Sequence, residues 1–243
     1  MRRCRCAALR WKLELLRAAK PSQKQLTDLL RGHRAPRRQN RQGYQAPSSP
    51  PSDDDIRAVF VEDPDTVFVT ITKAAAAAVN DLAVSTFFPE QAPLAVLPGD
   101  PDANPANFHA SEQQAWDPAP IPIFVGARVQ LTRNIHKEMD YVNGMGATIL
   151  GLQQGGVRVR TDTGFIVVVY PWTDAESQST YHPMRLGYAN TLTKLQGATL
   201  DSMTLYLDVP NIPAAGYVAL SRVRYDKHWR FVGYLTRHHF TPA

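Results

Sequence analysis

The chain has 243 residues, 44% hydrophobic and 20% charged, enough for one large or two small cored domains and too little charge for a disordered polyelectrolyte. No apolar run reaches the roughly 18 residues of a membrane span, and two cysteines, Cys4 and Cys6, are too few for a disulfide framework or a zinc site. These limits point to a soluble, intracellular protein. The net charge of +5 is unevenly spread: residues 1–45 carry 13 Lys/Arg against 2 Asp/Glu, residues 46–120 carry 2 against 12, and residues 121–243 carry 12 against 8. The basic amino end suits nucleic acid, an anionic membrane surface, or a solvated arm equally well.

Leu13, Leu16, Leu26, Leu29 and Leu30 predict one or two helices over Trp11–Arg34, with Pro21-Ser22 as a turn or helix start. Residues 35–55, rich in Pro, Arg, Gln and Ser and ending in Asp53-Asp54-Asp55, read as a linker or flexible loop. The β-branched run Thr66–Ile71 predicts a buried strand. It leads through Lys73 into a helix founded on Ala74–Ala78 and reaching about Thr86, a strand–turn–helix unit of an α/β sheet. Residues 89–120 show no period and read as a long irregular connection.

The texture then changes. Ala127–Thr132, Ala147–Leu152, Val157–Arg160 and Phe165–Tyr170 are short strands divided by Asn143-Gly144, Gly155-Gly156 and Thr161–Gly164. Such spacing predicts hairpins, and so many of them a small β-barrel. Tyr170, Trp172 and Tyr181 flank it, as base-stacking surfaces or as core. Beyond Tyr181 the α/β texture returns, with strands at Met184–Thr191 and Met203–Val209, a helix over Pro213–Arg224 and a closing strand at Trp229–Tyr234.

Two stretches carry chemistry. Thr191-Leu192-Thr193-Lys194-Leu195-Gln196-Gly197-Ala198-Thr199-Leu200 is a polar, glycine-containing turn after a strand, and Tyr217-Val218-Ala219-Leu220-Ser221-Arg222 follows about 20 residues on. Here the sequence resembles the PIF-type and RecD-like DNA helicases of superfamily 1. Their fifth motif reads like Thr-x-His-Lys-x-Gln-Gly-x-Thr-Leu and their sixth like Tyr-Val-Ala-Leu-Ser-Arg. The sixth matches in full; the fifth departs at Thr193, where His is usual, and at Leu195, where a small residue is usual. More weakly, Gly126–Asn134 with Val142-Asn143-Gly144 looks like the start of the small barrel these helicases insert in their second RecA-like domain. Thr66–Asn80 resembles that domain's strand and helix, and Leu15-Leu16-Arg17 with Leu29-Leu30-Arg31-Gly32 resembles the fourth motif.

The resemblance implies the carboxyl-terminal half of such an enzyme: an α/β RecA-like domain of the P-loop NTPase type, interrupted by an SH3-like β-barrel insert. Residues 1–55 form a basic helical segment and linker, 56–120 and 183–243 the two parts of the RecA-like domain, and 121–182 the barrel. It further implies ATP and Mg2+ as ligands of the complete enzyme, neither held by this chain alone. Arg222 becomes an arginine finger and Arg17 a second cation, since a guanidinium is always charged and forks onto phosphate oxygens. Gln196, Gly197 and Arg222 would meet nucleotide, and Thr191, Thr193, Lys194 and Asn143 single-stranded DNA, through backbone rather than base contacts. Outside this context Arg222 would be a surface helix arginine, and residues 1–20 read equally as an arginine-rich transit peptide.

No Gly-x-x-x-x-Gly-Lys-Ser/Thr occurs, no lysine follows a glycine, and no Asp-Glu pair follows an apolar strand. The phosphate cradle of a Walker-containing half is therefore expected from a partner domain, in cis or trans. The family would place the chain in the nucleus or mitochondrion of a eukaryote, and no membrane partner is expected. The competing reading is a non-catalytic nucleic-acid-binding or scaffold remnant of the same fold.

Overall fold

The computed structural model describes residues 4–35, 50–109, 117–176 and 178–242. In chain order they form α1 (Ala7–Ala18), α2 (Gln23–Leu30), α3 (Asp53–Glu62), β1 (Val67–Thr70), α4 (Lys73–Phe87), β2 (Ala95–Gly99), β3 (Ala119–Ile123) and β4 (Arg128–Leu131). Next come β5 (Gly146–Gln153), β6 (Gly156–Thr161), β7 (Ile166–Val169), β8 (Trp172–Thr173), β9 (Thr180–Tyr181) and β10 (Met184–Leu186). The last are β11 (Ala189–Thr191), β12 (Met203–Leu205), α5 (Ala215–Leu220) and β13 (Trp229–Phe231). They fall into two compact units, residues 1–83 with 189–243, and residues 84–188.

The first unit is built on a four-stranded parallel sheet in the order β11-β1-β12-β13. All four residues of β1 are buried, as a central parallel strand covered on both faces requires. Leu9, Leu13 and Leu16, on one face of α1, share a core with Leu26 and Leu29 of α2, Met203, Leu205, Ala219, Leu220, Trp229 and Phe231. Three helix starts are capped. Cys6 Sγ accepts from Leu9 N–H at 3.5 Å, Ser22 forms a reciprocal capping box with Gln25, and Ser52 does the same with Asp55.

Two expectations for this unit are corrected. Residues 4–35 are not a solvated basic arm, because their leucines are built into the core; residues 36–49 lie outside the described residues. Nor does the linker extend to Asp55: Asp53-Asp54-Asp55 form the first turn of α3, where carboxylates meet the positive end of the helix dipole. Asn80 also gains a physical role. Its side chain bonds both Ala189 O (3.1 Å) and Ala189 N (3.0 Å), so α4 holds the edge strand β11 by its backbone.

The second unit contains a five-stranded antiparallel sheet, β10-β4-β5-β6-β7, with the two-stranded ladders β2-β3 and β8-β9. Alternation in β6 puts Val157, Val159 and Thr161 inside and Arg158 and Arg160 outside. Gln154 (φ 41°) and Gly155 (φ 82°) both take the left-handed conformation that a two-residue hairpin demands between β5 and β6. The turn is therefore one residue earlier than Gly155-Gly156, and Gly156 begins β6.

The expected strands are present, but not as a closed barrel: β10 and β7 are the two edges of the five-stranded sheet and do not pair with each other. The single strand expected over Met184–Thr191 is two strands in different sheets, β10 antiparallel to β4 and β11 parallel to β1. They part at Gly187, where a Cβ would lie 3.0 Å from the Val129 carbonyl carbon. Residues 89–120 contain β2 and short turns of 3-10 helix at Pro101–Ala103 and Pro105–His109, while 110–116 lie outside the described residues. Among the described residues no helix is long and apolar enough to cross a membrane.

Candidate nucleotide and nucleic-acid site

The loop from β11 to β12 starts where a parallel strand ends at its carboxyl edge, the edge at which open α/β sheets place their ligands. Thr191 is buried, and its Oγ1 lies 3.1 Å from Thr193 Oγ1. Residues 192–195 form one turn of 3-10 helix anchored by Leu195, which is 1% exposed. The bulkier residue at position 195 is thus a core anchor, and Thr193, Lys194 and Gln196 are lifted to the surface around it. Gly197 (φ 89°) has open space where a Cβ would stand, so its glycine serves the left-handed backbone rather than a tight contact within the chain.

The same loop crosses to the opposite edge of the sheet and meets the second motif there. Leu200 N–H donates to Arg222 O at 2.8 Å, and Leu200 and Val223 form a parallel bridge just ahead of β12 and β13. Arg222 follows α5. Its Nε donates to Val218 O (3.1 Å) and Ser221 Oγ (3.1 Å), and its Nη2 to Ser221 Oγ (2.7 Å), while the Ser221 hydroxyl donates to Val218 O at 2.6 Å. The guanidinium is half-buried and held against the end of its own helix. α5 is seated by Gly216, where a Cβ would lie 2.2 Å from a Phe240 ring carbon.

Arg17 lies exposed in the last turn of α1, on a surface groove with Arg10 and Glu14. α1 and α5 share one core, so Arg17 and Arg222 stand on packed elements of the same unit. Asn143 belongs to the other unit. It sits exposed in the β4–β5 turn of the second unit, its N–H donating to Asn134 Oδ1 at 2.9 Å.

A buried polar cluster beside this site escaped the sequence. Lys12 Nζ lies 2.8 Å from Asp226 Oδ2 and 2.7 Å from His33 Nε2, and Trp229 Nε1 donates to Asp226 Oδ1 at 3.0 Å. His33 stacks on Trp229 with centroids 3.7 Å apart. Its Nδ1 is 3.0 Å from the Trp229 carbonyl, which can only accept, so Nδ1 carries a proton, and Nε2 faces both Lys12 Nζ and Asp226 Oδ2, the latter at 3.3 Å. Burial pushes the Asp226 carboxyl up, but the contacts with His33, Lys12 and Trp229 outweigh it and hold the group far below the usual carboxylate range. With Arg5 N–H on Arg224 O (2.8 Å) and Asp226 N–H on Cys6 Sγ (3.2 Å), the cluster fastens the segment after Arg222 to α1. No pattern marks Lys12, His33 and Asp226 in the sequence, because 214 positions separate the charged pair.

The fold is mixed α/β, and its architecture is similar to that of part of the solved Pif1 helicases. A Bacteroides Pif1 helicase bound to ADP-AlF3 and ssDNA superposes with a TM-score of 0.64 at 20% identity, over 99% of this chain and 52% of that one. The Candida albicans Pif1 helicase gives 0.61 at 17% identity, over 97% and 55%. In sequence, the ATP-dependent DNA helicase Pif1 of Bdellovibrio bacteriovorus is 34% identical over 121 residues, 46% of this chain and 27% of that protein. The mouse ATP-dependent DNA helicase PIF1 is 29% identical over 147 residues, 54% of this chain and 23% of that protein. No protein-family model matches the chain. The chain is thus similar in sequence and in fold to Pif1 helicases, and it spans about half the length of these solved structures and about a quarter of the curated proteins it matches.

Proposed function

We propose that the chain is the carboxyl-terminal portion of an ATP-dependent 5′-to-3′ DNA helicase: a second RecA-like domain carrying a small antiparallel-sheet insert. In this reading Arg222 is an arginine finger and Arg17 a second cation toward the γ-phosphate. Gln196 and Gly197 line the nucleotide, and Thr191, Thr193, Lys194 and Asn143 hold single-stranded DNA. The observation that carries the reading is the complete Tyr217–Arg222 motif at the end of α5, its Arg222 carbonyl hydrogen-bonded to Leu200 of the other motif.

The chemistry asked of the chain is electrostatic. A guanidinium placed against the transferring phosphoryl group stabilises charge that develops only in the transition state. Ser221 and the Val218 carbonyl fix the direction of the Arg222 fork before nucleotide arrives, which lowers the ordering cost at that step. ATP and Mg2+ belong to the complete enzyme. In this reading a Walker-containing RecA-like domain, in cis or trans, is the partner that holds them, since the sequence lacks Gly-x-x-x-x-Gly-Lys-Ser/Thr.

Complementation tests this. The purified chain is expected to hydrolyse ATP at background rate, and joining it to a matching Walker-containing half is expected to yield hydrolysis stimulated by single-stranded DNA. Magnesium-dependent turnover by the chain alone, or a joined protein that is inert to single-stranded DNA, would overturn the assignment.

A further inference from the structure

The outer face of the antiparallel sheet in the second unit is covered at one end and bare at the other. At the β10–β4 end, Arg185 donates from Nε and Nη2 to Gln130 Oε1 at 3.0 and 2.6 Å, and both side chains are buried. Cross-strand register carries that face across the sheet. Arg128 opposes Thr148, Thr148 opposes Arg160, and Arg160 opposes Ile166, while Arg158 opposes Val168 on the next row. At the β6–β7 end Arg158, Arg160, Ile166 and Tyr170 are all exposed.

Neither Arg158 nor Arg160 has an ion pair among the described residues. The acid that ends this row, Asp162, turns its carboxylate over Gly146, where a Cβ would lie 2.1 Å from its Oδ2. Tyr170 is 50% exposed and continues the outward row of β7. Its ring is laid against the sheet by a missing side chain: a Cβ on Gly156 would lie 3.0 Å from Tyr170 Cδ1 and 2.7 Å from Val168 Cγ1. The result is two outward arginines on one strand, their Cα atoms about 6.6 Å apart along it, beside a half-bare aromatic ring.

We propose that this face binds single-stranded nucleic acid, Arg158 and Arg160 taking successive backbone phosphates and Tyr170 stacking on a base. Charge complementarity selects the occupant, because unpaired guanidinium forks fit phosphate oxygens and an aromatic ring accepts any base. The surface belongs wholly to the second unit, and the loop at Thr191–Gln196 belongs to the first.

The test is anisotropy of a labelled oligothymidine against the full chain across a salt series. Arg158→Gln with Arg160→Gln is expected to weaken binding about tenfold and to flatten the log–log salt slope by roughly 1.4, about 0.7 for each phosphate contact removed from a single strand. Tyr170→Ala is expected to lose about fivefold, with Tyr170→Phe keeping the affinity. All three positions are exposed, so thermal midpoints should not move. Unchanged affinity and slope in the double variant, no binding by the unaltered chain at low salt, or competition by polyglutamate as strong as by unlabelled oligonucleotide would each overturn the proposal. Loss on Lys194→Ala with no loss on the arginine pair would keep the DNA reading of the first unit and remove this one.

Discussion

In the second unit, β4 meets β5 across the Asn143-Gly144 turn, and β5 meets β6 across Gln154-Gly155. In the first, Phe68 of β1 opposes Ala189 and Thr204, both more than a hundred positions later. From β4 to β7 the second unit is held by ladders between strands successive in the chain and by an apolar core that alternation dictates, with β10 returning from farther along to β4. The other is closed by long-range pairs, among them the buried Lys12–Asp226 ion pair and the Asn80–Ala189 clasp. The difference teaches where each motif's geometry comes from. The loop at Thr191 and the helix end at Arg222 are positioned by contacts that form only once distant segments have met, so damage far from them should be felt there.

The largest expected effect follows from the buried cluster. Asp226→Ala leaves Lys12 buried without its carboxylate and is expected to destabilise the first unit by about 3 kcal/mol, the cost of stranding one partner of a buried pair. Lys12→Met, which replaces the ammonium with an apolar chain but strands Asp226 instead, should cost a similar amount. Amide exchange resolves the comparison: protection should fall in β1, β12 and α5 and stay unchanged in β5 and β6. An equal fall in both units would show that they do not have separate stabilities.

Acid sharpens the same contrast. The Asp226 carboxyl lies lower in the folded than in the unfolded chain. Its stabilisation is therefore complete above the unfolded value of about 4 and is lost as pH falls below it toward the folded value. A melting series from pH 6 to pH 2 should show the unaltered chain losing stability over that window, and Asp226→Asn, already weakened, losing less. Parallel pH curves for the two proteins would remove Asp226 as the acid-sensitive group.

The smallest effect concerns the clasp. Asn80→Ala removes both side-chain bonds to Ala189 and should cost about 1–2 kcal/mol, leaving a buried N–H and C=O unpaired. Exchange should rise first at Ala189, on the edge strand that delivers Thr191. No change there would mean that β11 is held by its pairing with β1 alone.

Legibility in the sequence followed the same divide. The hairpins of the second unit were readable because alternation and turn residues are local, down to the pairing of Val157–Thr161 with its neighbours. Closure into a barrel was not, since whether edge strands such as β7 and β10 meet depends on twist and on strands distant in sequence. In the first unit, α1, α2, β1 and α4 were visible from leucine spacing, capping serine and the alanine run. α3 was hidden by three aspartates that look like a linker and serve instead as a first turn. Met184–Thr191 read as one strand because its apolar pattern is continuous, and only the packing of Gly187 on Val129 shows the break. Of the candidate site, Tyr217–Arg222 and Thr191–Leu200 were legible as motifs, and Leu195 was a departure until its burial explained it. Lys12, His33 and Asp226 carry no local pattern at all.

The central claim is that Arg222 acts on the transferring phosphoryl group. In a protein joined to a Walker-containing half, turnover, nucleotide affinity and thermal midpoint would be measured together for the unaltered chain, Arg222→Lys and Arg222→Ala. Both variants are expected to lose roughly a thousandfold in turnover, since lysine keeps the charge but not the fork, with nucleotide affinity changed far less and the midpoint preserved. An Arg222→Ala protein that hydrolyses ATP at the unaltered rate, or one that loses activity only by unfolding, would contradict the account and leave Arg222 as a residue that merely caps the end of α5.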